Sequence, residues 1–164
     1  MLKKASLALA AAAALSVNAA HAGQLDSSSF TVQATIAGSC TAITPQSLFD
    51  FGTITGTAAN TDSSMTVSVT CTTSLPYNLT MGYGTNGNSA GRKMANGANT
   101  LNYQLFTDSG RTINFDDFGG NASGWIGGIG TGSSQSIIVY GRVPVQSTPP
   151  AGVYTDSVIA AVVW

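Results

Sequence analysis

The chain has 164 residues, of which 43% are hydrophobic and only 8% charged, where ordinary soluble domains carry about 25% charged residues. Every acidic residue is Asp, Glu is absent, the sole histidine is His21, and the formal net charge is −1. This composition argues against Glu- and Lys-rich coiled coils and bundles, and it lacks the clustered positive charge that nucleic-acid binding requires. The length fits one domain with a core of its own.

The first element in chain order is a leader. Lys3 and Lys4 form a basic start, Ala5–Val17 is an almost wholly apolar run, and Ala20-His21-Ala22 supplies the small residues of a cleavage site. The run is shorter than the ~20 apolar residues that span a bilayer. A secretory signal over residues 1–22, cleaved after Ala22, is therefore expected rather than an anchor. Cleavage removes His21 and leaves Arg92, Lys93, Arg111 and Arg142 against seven Asp. That excludes a Ser-His-Asp or Cys-His nucleophile pair and His-ligated zinc. General acid–base chemistry is left a thin set of groups, so no enzyme activity and no cofactor are expected.

Cys40 and Cys71 both lie in the exported part. An oxidising compartment makes one disulfide the default. A reactive thiol would need a basic or helix-terminal setting that neither position shows. The link would contribute about 3–4 kcal/mol by chain-entropy arithmetic.

Beyond the leader, apolar residues recur with period two. Phe30, Val32, Ala34 and Ile36 form one alternating set; Met65, Val67, Val69 and Cys71 a second. Tyr77, Leu79, Met81 and Tyr83 form a third, and Leu101, Tyr103 and Leu105 a fourth. Ile137–Val143 reads as a strand apolar on both faces, and Val153–Trp164 as the last strand. Between them, Gly56–Asp62, Gly84–Gly97, Gly119–Ser134 and Pro144–Gly152 read as loops, and Asp108-Ser109-Gly110 as a hairpin turn into Thr112–Phe115. Six or seven strands with Gly-rich connections predict an all-β sandwich of immunoglobulin-like type.

The two ends of the mature chain complement each other. Val158–Trp164 is apolar on both faces, and no later strand is available to cover its edge; a bare apolar edge invites pairing with another chain. Gly23–Ala34 is a free, alternating segment of the kind such an edge accepts. Together they suggest assembly by strand addition.

Several motifs, in order, carry a family resemblance. Phe30, Val32, Ala34 and Ile36 lead into Gly38-Ser39-Cys40, followed by Phe49-Asp50-Phe51-Gly52 and by Val67-Ser68-Val69-Thr70-Cys71-Thr72 with Pro76-Tyr77. Then come Gly91-Arg92-Lys93-Met94, Leu101–Phe106, Val139-Tyr140-Gly141-Arg142-Val143-Pro144 and Gly152–Val158. The set resembles the spore coat protein U family, which includes subunits of archaic chaperone–usher pili. The resemblance implies an incomplete immunoglobulin-like β-sandwich completed by donor-strand complementation. It implies three parts: a signal peptide over 1–22, a donor segment over 23–35, and the pilin domain over 36–164. Within the donor segment it points to Gln24–Ala34, with Phe30, Val32 and Ala34 as the plugs. Leu25 and Phe30 lie on opposite parities, so the register stays open. It makes Val158, Ala160, Val162 and Trp164 the acceptor edge and chaperone contact, with the Trp164 carboxylate an anchor for basic groups. The partners implied are a periplasmic chaperone, an outer-membrane usher and neighbouring pilin subunits, with no nucleic acid. The product is a surface fibre that supports adhesion or biofilm formation, or in some members a spore coat.

Other features carry less. Asp116-Asp117 is read as a solvated turn rather than a metal or acid pair, since strand neighbours face opposite ways. Gly127-Gly128-Ile129-Gly130-Thr131-Gly132 is read as a flexible connection, because it opens no helix as a phosphate loop would. Asn78-Leu79-Thr80 and Asn121-Ala122-Ser123 match the glycosylation triplet. Trp125 is read as folded over a sandwich end, the alternative being an exposed aromatic that binds sugars or surfaces. Arg92 and Lys93 make too small a patch for nucleic acid. A stand-alone secreted sandwich binding carbohydrate through Gly119–Ser134 is the competing reading.

Overall fold

The computed structural model describes residues 28–45, 48–117, 119–120 and 122–164, the side chains of 41–45 and 122 excepted. The leader, Leu25 and Asn121 lie outside the described residues. The chain divides into two units, Met1–Thr35 and Ile36–Trp164. In the first, residues 28–35 carry no strand, and Phe30, Val32 and Ala34 are exposed. Alternation alone does not make a strand, because the ladder needs a partner edge to receive its hydrogen bonds.

The second unit holds eight strands: β1 (Cys40–Pro45), β2 (Thr61–Cys71), β3 (Pro76–Met81), β4 (Arg92–Asn96), β5 (Asn99–Phe106), β6 (Ile126–Ile129), β7 (Ser134–Val143) and β8 (Ala160–Val163). They form two antiparallel sheets, ordered β1-β2-β7-β5-β4 and β6-β3-β8. This is the all-β sandwich expected from the alternation, with eight strands instead of six or seven.

Period two explains the core directly. Odd positions of β2 and β7 face inward, so Val67, Val69, Val139 and Val143 are buried, joined by Leu101, Tyr103 and Leu105 of β5. Tyr77, Leu79 and Met81 of β3 close on them from the other sheet. Each fully buried side chain of this size contributes about 1.5–3 kcal/mol. The outer face of β7 is mixed rather than apolar: Ser134 and Ser136 share it with Ile138, which is 47% exposed.

Three expected loops or strands differ. The stretch 84–97 contains β4, which hairpins onto β5 with Arg92 opposite Tyr103. The stretch 119–134 contains β6, paired with β3. Its glycines have a packing reason: a Cβ on Gly128 would lie 2.5 Å from the Tyr77 ring, and one on Gly130 would lie 2.2 Å from the Thr72 carbonyl oxygen. The Gly run is therefore a close-packed sheet edge and not a flexible connection. In the last segment only Ala160–Val163 pairs as regular strand, because residues 155–159 cross between the sheets.

Cys40 and Cys71 are bonded, 31 residues apart in sequence. They face each other across the β1–β2 ladder, so the bridge staples neighbouring strands of one sheet. The β2–β7 register also sets Asp62 opposite Arg142. Arg142 donates two bonds of 2.7 and 2.9 Å to that carboxylate, and Arg111 approaches it at 3.4 Å. The Arg142 hydrogen bond, helped by the Arg111 charge, holds the Asp62 carboxyl below its ordinary range. Arg111 and Arg142 are thus committed to one exposed carboxylate.

Candidate functional site: an open groove beside β8

β8 is an edge strand. One side pairs with β3, from Asn78 opposite Val163 to Met81 opposite Ala160; among the described residues no strand pairs with the other side. Val158, Ala160 and Val162 point inward and pack on the core, while Ile159 is 76% exposed. β1 of the opposite sheet runs close by.

At the start of β8 lies a groove of about 300 Å³, lined by Phe49, Phe51, Met65, Met81, Met94, Tyr103, Leu105, Val158 and Ala160, among others. It adjoins a cavity of about 600 Å³ that shares Phe49, Phe51, Met94 and Tyr154. Phe49 and Phe51 stack at 5.0 Å, and Phe51 meets the Tyr103 ring edge-on at 6.1 Å. A well-packed interior leaves few voids larger than a water molecule. This one is bordered by Ala160, the first residue of the edge strand β8.

Polar contacts frame the groove's closed side. Residues 155–159 join the sheets: Thr155 exchanges two backbone bonds with Ala95 of β4, and the Ser157 and Ile159 carbonyls accept from Thr85 and Gly82 beyond β3. Asp156 anchors this crossing. Its Oδ1 accepts from the backbone and side chains of Thr85 and Asn86, and its Oδ2 accepts from the Tyr103 hydroxyl at 2.7 Å. Burial, reinforced by Asp156, pushes the Tyr103 phenol well above its ordinary range, so it stays a donor. Gly84 makes room for the carboxylate: it has φ +83°, and a Cβ there would lie 1.9 Å from Asp156 Oδ2. We expect Gly84→Ala to lower unfolding free energy by about 1–3 kcal/mol through backbone strain alone, with the collision adding to it. Urea unfolding measures this, and an unchanged midpoint would mean that Asp156 does not hold this turn.

A second clamp sits at the same corner. Arg92 is 3% exposed. Its Nε donates to the Gly82 carbonyl at 2.8 Å, and its Nη2 to the carbonyls of Met81 at 2.7 Å and Phe115 at 3.1 Å. The guanidinium also lies 5.5 Å from the Tyr83 ring centroid. Burial lowers its pKa, offset in part by Tyr103, Tyr83 and the Asp116 and Asp117 carboxylates. Tyr83 in turn donates to Asp116, and that bond raises the Tyr83 pKa.

The family model described as the Spore Coat Protein U domain matches residues 26–161. The chain belongs to the Spore Coat Protein U domain family. No match is found among curated proteins. Among solved structures, the chain is similar to one in the crystal structure of the CsuC–CsuE chaperone–tip adhesion subunit pre-assembly complex from archaic chaperone–usher Csu pili of Acinetobacter baumannii. The two are 23% identical with a TM-score of 0.55, and the match covers 79% of this chain and 40% of that one. At this identity the likeness is one of fold.

In this Spore Coat Protein U domain the sequence-expected site residues fall in distinct places. Val158 and Ala160 line the groove, Val162 continues their inward row, and Trp164 is 58% exposed. Asp116 is more than a solvated turn, since its backbone bonds both Met81 and Gly124 and its side chain accepts from Tyr83. Trp125 is half-buried and donates to the Asp117 carbonyl at 3.2 Å, as a ring folded over the end would. Among the described residues, no three His, Cys, Asp or Glu side chains gather as a metal site. Sequence reasoning missed Arg92, Asp156 and the methionines of the groove. The period-two set Arg92 and Met94, with Lys93 between them, was the available signal for an inward-facing arginine.

Proposed function

We propose that this chain is a structural subunit of a secreted cell-surface fibre of the archaic chaperone–usher type, joined by donor-strand exchange. The observation that carries this reading is a β8 edge unpaired among the described residues, beginning at Ala160 on the border of an apolar groove, in a member of this family. The occupant is the segment over residues 23–35 of a second copy, whose Phe30, Val32 and Ala34 alternate and are exposed in this chain. A strand laid along β8 would satisfy its free backbone groups and place alternate side chains in the groove.

In this reading residues 1–22 direct export to the periplasm. There a chaperone occupies the β8 edge until the outer-membrane usher exchanges it for the next subunit. The fibre then reaches the cell surface, where it supports adhesion or biofilm formation. The chain's work is packing and pairing, not catalysis.

Deleting Gln24–Ala34 tests the proposal. Surface fibres and heat-stable subunit ladders should vanish, while the truncated subunit still accumulates in complex with its chaperone. Ordinary fibres built from truncated subunits would overturn it.

A further inference from the structure

The sulfur in this chain is unevenly placed. Three of its four methionines, Met65, Met81 and Met94, line the one groove beside β8. They come from three strands and both sheets: β2, β3 and β4. Met81 is 1% exposed, whereas Met65 and Met94 are partly buried at the rim of the core. Both cysteines are taken up in the disulfide. Beyond Met1, these three thioethers are therefore the oxidisable sulfur of the chain; all three line the groove, and Met65 and Met94 are the two that solvent reaches.

We propose that Met65 and Met94 are oxidative modification sites whose conversion to sulfoxide closes the empty groove to an incoming strand. The inference rests on the acceptor reading of the groove given above. Thioether side chains are flexible and polarisable, so they suit a groove that must mould itself to an apolar strand. A sulfoxide is polar and chiral. The step is balanced with a peroxide as oxidant: a sulfur lone pair takes one oxygen atom, the S–O bond forms as the O–O bond breaks, and water leaves. Sulfur is oxidised and the peroxide reduced. The new S=O oxygen would enter a lining made mostly of apolar side chains such as Phe49, Phe51, Leu105 and Val158, with the exposed Thr155 and Ser157 hydroxyls at one margin. The nearby Tyr103 hydroxyl already donates to Asp156. A docked strand would bury that oxygen in a mainly apolar lining, which is unfavourable. A filled groove excludes the oxidant, so the unassembled subunit is the vulnerable form.

The test uses the full mature chain and a labelled peptide spanning Gln24–Ile36. The chain is treated with hydrogen peroxide, sulfoxide positions are mapped by peptide mass spectrometry, and peptide capture is measured before and after. Sulfoxide should appear first at Met65 and Met94, and capture should weaken about tenfold or more. A Met65→Leu, Met94→Leu variant, close to volume-conserving, should capture the peptide equally well with and without peroxide. Chain already holding the peptide should resist oxidation at both positions. Undiminished capture by sulfoxide-bearing wild type, or equal loss in the leucine variant, overturns the proposal. Failure of the untreated chain to capture the peptide overturns the acceptor reading itself, a separate result.

Discussion

Replacing Arg92 with alanine should lower the unfolding free energy by about 3–5 kcal/mol, one of the largest losses from any single substitution in this chain. The carbonyls of Met81, Gly82 and Phe115 share this one guanidinium. An unsatisfied buried acceptor costs about 1–3 kcal/mol, and water entering the vacated space offsets part of the total. The effect has a direction in the fold. Arg92 starts on β4 of one sheet and ends on carbonyls at and beyond the end of β3 in the other, so its loss frees the corner from which β8 is aligned. Arg92→Lys should retain only part of the stability, because an ammonium cannot reproduce the planar fork that reaches several acceptors at fixed angles. Urea unfolding with the three chains side by side decides the matter. An alanine variant with the wild-type midpoint would show that the carbonyls find other partners.

The second large effect is expected at the disulfide. Changing Cys40 and Cys71 together to serine should cost about 3–4 kcal/mol, a large share of the 5–15 kcal/mol that holds an ordinary domain together. The loss should begin locally. β1 is the outermost strand of its sheet, and the bridge ties its first residue to the end of β2. Hydrogen exchange should therefore show β1 amides losing protection before those of β2 and β7. β1 also runs beside β8, so fraying there would loosen the support of β8 and reduce the yield of folded subunit. Uniform loss of protection across both sheets, or none, would contradict a local staple.

Much of the sandwich was legible beforehand because burial on one face of a strand leaves a mark every second residue. Val67 and Val69, Leu79 and Met81, and Leu101, Tyr103 and Leu105 alternated in the sequence and are buried in the fold. The family resemblance named Val158, Ala160 and Val162, which alternation alone did not single out in a segment apolar on both faces, and they pack on the core. β4 escaped because it is short, carries polar Arg92, Lys93 and Asn96, and lies between Gly- and Asn-rich stretches that signal turns; pairing with β5 overrode that preference. β6 escaped because glycine has no side chain to alternate. Its reason for being a strand lies in its pairing with β3, where Gly128 fits against Tyr77, far from it in sequence.

The scarcity of charge now has a spatial account as well. Arg92 is buried among carbonyls, while Arg111 and Arg142 converge on Asp62. Asp156 holds five hydrogen bonds at the crossing between sheets. The few charged groups act as fasteners, leaving the β8 edge without a guard against pairing.

By itself the sequence determined the class of fold, the cysteine pair, the apolar closing strand and the alternating segment at the other end. Each of these is a local pattern, set by neighbours one or two residues apart or by residue type alone. Only the tertiary structure decided that an arginine read as surface charge would be buried, that one aspartate would hold the crossing between sheets, and that three methionines would meet in a single groove. Those outcomes depend on which strands become neighbours. That choice is made by the packing of two whole sheets, and no short window of sequence contains it.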